Sequence, residues 1–242
     1  MKWTTIQLGS REHYAIPRAL HHVGRLETLI TDAWLNRYNS LVLRPFMPSL
    51  ATRRDDEIPH AFVRANTFGR LFTDIRLKLQ KKRGWEAIQD RNQWFGQWVA
   101  DLMKCTDSHV VFSYSYVALL PFVEAKKRHV RCILGQIDPG PFEDIFVQKL
   151  TADYQHLRPP GKPSSPTAYY WRQWQEELIL ADKIVVNSSW SRNLLLKANV
   201  PEEKIVEIPL AYGSVASRNL HQLSSIDRHP TVLKTSARLQ TL

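Results

Sequence analysis

Three short clusters of polar residues stand where backbone turns would present them. The first is "GSREH", in which Gly9 and Ser10 are followed by Arg11 and His13, directly after an apolar piece at residues 3–8. Glycine allows a close backbone approach to a ligand, and it suits a plain tight turn equally well. Arg11 and His13 at the start of a following helix would meet anionic groups, which the N–H groups there favour, or would be ordinary surface residues. The second cluster is "GQIDPG", where Gln136 and Asp138 end another apolar piece. A carboxylate in that place can take a hydroxyl proton or hydrogen-bond hydroxyl groups, although "DPGP" is also a good turn on propensity alone. The third is Ser188 with Ser189, suited to the N-cap of a following helix, with ligand contact as the alternative.

Such clusters need a scaffold, and the chain reads as alternating strands and helices. Short apolar, β-rich pieces occur at residues 3–8, 26–31, 109–112, 131–136, 183–187 and 205–208. Helical stretches lie between them: "HYAIPRALHHV", "SYVALLPFVEAKKRH" and "SRNLLLKANV". Strand, helix, strand in repetition predicts an α/β fold, a Rossmann-like parallel sheet with helices on both faces. Ligands on such sheets bind at the carboxyl ends of the strands, where all three polar clusters fall.

Two stretches interrupt the alternation. Residues 66–104 read as two helices split at Gly84, which is placed to cap the first. "QHLRPPGKPSSPT" at 155–167 reads as a loop. Glu143 and Asp144 suit the first turn of a helix. On the first helix of the pair, Phe68, Leu71, Phe72, Ile75 and Leu79 share one stripe, amid Arg70, Arg76, Lys78, Lys81, Lys82 and Arg83. Basic amphipathic helices of this type lie on anionic lipid, which makes Arg76, Lys78, Lys81, Lys82 and Arg83 candidates for a membrane surface. The alternative is that the stripe packs on the sheet and the cations are solvated. Trp94, Phe95 and Trp98 read as core or as an interfacial aromatic belt.

Composition narrows the class. With 242 residues, 43% of them hydrophobic, the chain can build one large domain or two small ones. Its longest apolar run, "YVALLPFV", is far shorter than the roughly 20 residues that cross a bilayer. The first residues lack the apolar core of a signal peptide, so a cytoplasmic protein is expected, peripheral at most on the inner face of a membrane. Cys105 and Cys132 have no metal-ligand spacing, and two thiols suit a reducing compartment. The net charge of +10 favours an anionic partner: a membrane surface, a phosphorylated ligand or nucleic acid.

The most specific stretch is "ADKIVVNSSWSRNLLLKANVPEEKIVEIPLAYG". It resembles the closing part of the N-terminal domain in family 4 glycosyltransferases, retaining enzymes of the GT-B fold. Glu176, Glu177, Ala181, Asp182, Ser188, Lys204, Ile205 and Pro209 match that pattern. "LGSREHYAIPRALHHVGRLETLITD" is similar to the first strand, ligand-facing loop and second strand, and "CILGQIDPGPFEDIF" to the segment that builds the acceptor site. The resemblance covers residues 3–212 and implies one half of a GT-B fold, an acceptor-side domain over 1–212.

By the same resemblance, Gly9, Ser10, Arg11, His13, Gln136, Asp138 and Ser188 would bind acceptor. Family members often carry a histidine facing the reacting sugar where Gln136 and Asp138 stand; here it is absent, and Asp138 is the catalytic candidate. The acceptor would be a sugar or a lipid-linked acceptor. No cofactor is expected in this chain, the nucleotide-sugar donor belonging to a second domain. Residues 213–242 read as a linker and basic tail where that domain would begin, so the expectation is a truncated or split acceptor-binding half with little activity alone, working with a separately encoded donor domain. The rival is a basic non-catalytic module on membrane or nucleic acid; no nucleic-acid signature supports the latter. A third reading is another nucleotide-sugar enzyme of the same fold.

Overall fold

The β-branched and apolar pieces assemble into one sheet. In the computed structural model, which describes residues 1–35, 50, 52–137, 140–154, 156, 166 and 168–209, the strands are β1 (Trp3–Gln7), β2 (Leu26–Thr31), β3 (Val63–Ala65), β4 (Val110–Tyr114), β5 (Arg131–Gly135), β6 (Lys183–Val186) and β7 (Ile205–Glu207). Their order is β3-β2-β1-β4-β5-β6-β7, and every neighbouring pair is parallel. The helices are α1 (Ala15–His22), α2 (Thr67–Leu79), α3 (Gly84–Met103), α4 (Leu119–Lys127), α5 (Pro141–Asp153), α6 (Ala168–Leu180) and α7 (Ser189–Lys197). This is the expected α/β Rossmann-like fold. Residues Met1–Pro209 form one compact unit; residues 210–242, the expected linker at 213–242 among them, lie outside the described residues.

Side chains of successive residues on β2 enter the two larger cores. Leu29 enters a cluster with Tyr14, Leu26, Ile58 and Val63, against which Leu20 of α1 packs. Ile30 enters the larger cluster with Phe95, Val99, Phe122, Trp174 and Leu195, from α3, α4, α6 and α7. Alternate residues of a strand face opposite sides, so helices cover both faces. Central β4 is buried at all five positions, as a strand covered on both sides must be. Phe95 is fully buried, and Trp94 and Trp98 pack on the same core.

Three sequence expectations are corrected. β3 was not anticipated: three residues with only Val63 buried leave no period to read. Gly84 does not cap α2 but begins α3. The left-handed residue after α2 is Lys81 (φ 55), and the Lys82 N–H donates to the Leu77 carbonyl at 3.0 Å, closing the helix. Finally, Phe68, Phe72, Ile75 and Leu79 are exposed, while Thr73 and Leu77 make the buried face of α2. The stripe therefore does not pack on the sheet. The expected loop at 155–167 lies outside the described residues except for His156 and Pro166.

Candidate functional site

Sheet order reverses at β1: the chain runs β1 to β2 to β3 on one side, then returns to place β4 on the other. Diverging connections open a crevice at the carboxyl ends of β1 and β4, the usual ligand position of such sheets. A cavity of about 280 Å³ lies there. Leu8 and Arg11 line it from the β1 loop, Ser115, Tyr116 and Val117 from the β4 loop, and Ile137 from the end of β5. Trp85, Ile88, Arg91 and Asn92 close it from α3, and Tyr170 from α6. Trp85 meets Tyr170 edge-on with centroids 4.8 Å apart, and Tyr116 stacks on Tyr170 at 4.4 Å. The walls are thus aromatic, with two guanidinium groups among them.

The β1 loop is held by its own residues. The Gly9 N–H donates to Asp32 Oδ1 at 2.8 Å, and Gln7 Nε2 donates to the Gly9 carbonyl at 2.8 Å. Gly9 has φ +95, and the place a Cβ would take is filled by the Arg53 guanidinium. The close approach at Gly9 is therefore made by Arg53, and its N–H is committed to Asp32. After it, Glu12, His13 and Tyr14 adopt left-handed φ values of 47, 50 and 59, each costing about 1–2 kcal/mol for a residue with a Cβ. Buried Tyr14 and a hydrogen bond from the Tyr114 hydroxyl to Glu12 Oε2 at 2.9 Å hold the segment in that form. Burial first, then the Glu12 charge, raises the Tyr114 pKa and keeps its phenol protonated.

Behind the loop runs a chain of charges. Asp32, completely buried at the end of β2, is ion-paired with Arg70 of α2 and has Arg53 at 3.8 Å. Arg70 Nε donates to Asp74 Oδ2 at 2.8 Å, and Arg91 Nη2 reaches Asp74 Oδ1 at 3.0 Å. The cavity-lining Arg91 is thereby oriented by α2 and linked through three side chains to the Gly9 loop. A carboxylate ending β2 suggests a ribose ligand in this fold class, but Asp32 is consumed by the arginines and the Gly9 N–H.

The candidates named from sequence fall unevenly around this site. Arg11 reaches the cavity; Gly9 and Ser10 form the supporting turn. His13 is exposed on the left-handed segment, since α1 starts only at Ala15. Gln136 is buried, its backbone N–H on the Val185 carbonyl at 2.8 Å, and it is the next residue, Ile137, that faces the cavity. Asp138 lies outside the described residues. Ser188 caps α7, its hydroxyl accepting the Ser191 N–H at 3.3 Å. Sequence reasoning missed Trp85, Ile88, Arg91 and Asn92. Their spacing of three and four, 85, 88 and 91/92, carries the stripe of Phe95 and Val99 on towards the start of α3, and is the signal that could have shown them.

No family model and no curated protein sequence matches the chain. Among solved structures it is similar to UDP-N-acetylglucosamine 2-epimerase from Rickettsia bellii, at 12% identity and TM-score 0.49, covering 94% of this chain and 49% of that one. It is similar also to the UDP-GlcNAc 2-epimerase of Methanocaldococcus jannaschii, at 10% identity, TM-score 0.45 and coverages of 86% and 45%. A third is that of Neisseria meningitidis bound to UDP-GlcNAc, at 12%, 0.43, 86% and 46%. The chain spans about half the length of these structures. A likeness of this degree concerns the fold, and chemistry has to be argued from the site.

Proposed function

We propose that this chain is the acceptor-side half of a sugar-transferring enzyme of the GT-B type, related to the family 4 glycosyltransferases. The observation that carries the reading is the cavity at the β1–β4 crevice, walled by Trp85, Tyr116 and Tyr170 and furnished with Arg11 and Arg91. Aromatic faces suit the C–H faces of a sugar ring, and guanidinium forks suit an anionic group such as phosphate. A volume of about 280 Å³ lies just below the range of small-molecule sites, which run from about 300 Å³ upwards. In this reading the nucleotide-sugar donor is held by a second domain that supplies the groups stabilising the leaving diphosphate. Asp138, next to cavity-lining Ile137 in the chain, takes the acceptor hydroxyl proton.

Titration calorimetry with sugar phosphates and the matching neutral sugars tests the binding half of the proposal. Saturable binding that prefers the phosphorylated sugar by about tenfold or more, and weakens in Arg91→Ala and Trp85→Ala, supports it. No binding of either class, or binding unchanged in both variants, overturns it.

A further inference from the structure

Helix α2 turns about 100° per residue, which puts Phe68, Phe72, Ile75 and Leu79 within an arc of about 60°. That arc is directly opposite buried Leu77 and points away from the protein. Phe68 is 88% exposed, Leu79 78%, Phe72 69% and Ile75 48%. Four large apolar side chains in a row on a water-facing helix mark an interaction surface. Arg76 and Lys78 stand about a quarter-turn to either side of the stripe, and Lys81 and Arg83 follow the helix end. Among the described residues these four cations have no ion pair. Lys82 does, with Asp90 at 2.7 Å and Glu86 at 3.6 Å, and Arg70 is committed to Asp32 and Asp74. The one acidic residue of α2, Asp74, is held by Arg70 and Arg91, so the outer face carries positive charge alone.

We infer that the outer face of α2 docks the protein on an anionic lipid surface. Phe68, Phe72, Ile75 and Leu79 enter the boundary between headgroups and acyl chains, and Arg76, Lys78, Lys81 and Arg83 meet lipid phosphates. Flanking cations on long stems reach upward while their methylenes stay apolar. A second copy of the same face would bring like charges together. Helix α5 gives the contrast: it also exposes Phe142, Ile145, Phe146 and Val147, but Glu143, Asp144 and Asp153 outnumber its Lys149, the wrong sign for such a surface. With 13 residues α2 is far too short to span a bilayer, so it lies in the interface plane. The inference does not depend on sugar transfer.

Flotation of the full chain with phosphatidylcholine vesicles, with and without phosphatidylglycerol, tests it. Binding should require the anionic lipid and fall with salt. Phe68→Ser with Phe72→Ser should lower partitioning by about tenfold or more, and Arg76→Gln with Lys78→Gln by about fivefold per charge. Both variants should melt as the parent does and keep its oligomeric state. Equal flotation on the two vesicles, no flotation, or unchanged flotation of the variants would overturn the inference. So would a clear loss of melting temperature in the phenylalanine variant, which would mean that another part of this chain covers the stripe, or a change of oligomeric state, which would mean that a second copy does.

Discussion

Glu177 of α6 accepts the backbone N–H of Tyr116 at 2.7 Å, across 61 residues of sequence. Its other carboxylate oxygen takes the N–H groups of Ala118 and Leu119 at 2.9 and 3.1 Å. One buried side chain thus caps α4 and holds the β4 loop that forms a wall of the cavity. Burial pushes the Glu177 carboxyl up to about 8, against the pull of the three N–H donors.

Removing that carboxyl with Glu177→Ala should cost about 3 kcal/mol or more, because three inward N–H groups lose their acceptor. The pH dependence has a definite sign. With a folded pKa of about 8 above the ordinary 4.5, the folded state binds the proton more tightly. The associated stability is complete below the ordinary value and is lost as pH rises through the folded one. Urea unfolding of the parent and of Glu177→Gln should show the parent's relative stability falling across that window and levelling above it. A difference that stays constant with pH would contradict the assignment.

Asp32 is a buried charge whose neutralisation depends on Arg70 and Arg53. Asp32→Ala should destabilise the protein by about 3–5 kcal/mol, since two cations lose their common partner in a water-poor site. It also frees the Gly9 N–H, so the same variant should lose binding in the cavity at temperatures where it remains folded. Chemical denaturation and calorimetry measure the two effects separately.

At Gly9 the expected cost has two sources, a backbone at φ +95 and the Arg53 guanidinium in the space of a Cβ. Gly9→Ala should cost about 1–3 kcal/mol. In an Arg53→Ala background only the backbone part remains, so a double-mutant cycle should give a non-zero coupling. Additive costs would show that Arg53 does not press on this turn.

The two thiols should differ sharply. Cys132 is fully buried on β5, and burial pushes its thiol up to about 12, with Lys126 opposing and Asp182 adding to the shift. Cys105 is exposed. Native protein should react with one equivalent of a thiol reagent at neutral pH and with a second only after unfolding.

Much of the fold was legible because parallel sheets write themselves plainly: buried β-branched runs, separated by helices of crossover length. Six strands were read from the chain to within two residues at each end. The residues of the family-like stretch turn out to be those that build the frame. Glu177 caps α4, Asp182 takes the Cys132 N–H at 2.7 Å and the Lys126 ammonium at 2.7 Å, and Lys204 Nζ donates to the last carbonyls of α6. That ammonium and N–H hold the Asp182 carboxyl below its usual range although desolvation works against them. Ser188 likewise serves the frame.

The sequence by itself determined the alternation of elements, the carboxyl-end edge where polar residues collect, and the amphipathic pattern of α2, because these rest on local periodicity and turn chemistry. Tertiary structure alone decided which side of α2 meets water, that Asp32 is spent on arginines, and that Arg91 and Trp85 from one helix meet Tyr116 and Tyr170 from two distant segments. Those outcomes depend on contacts between residues far apart in the chain, and local sequence spacing carries no record of which distant side chain will neutralise a charge or close a wall.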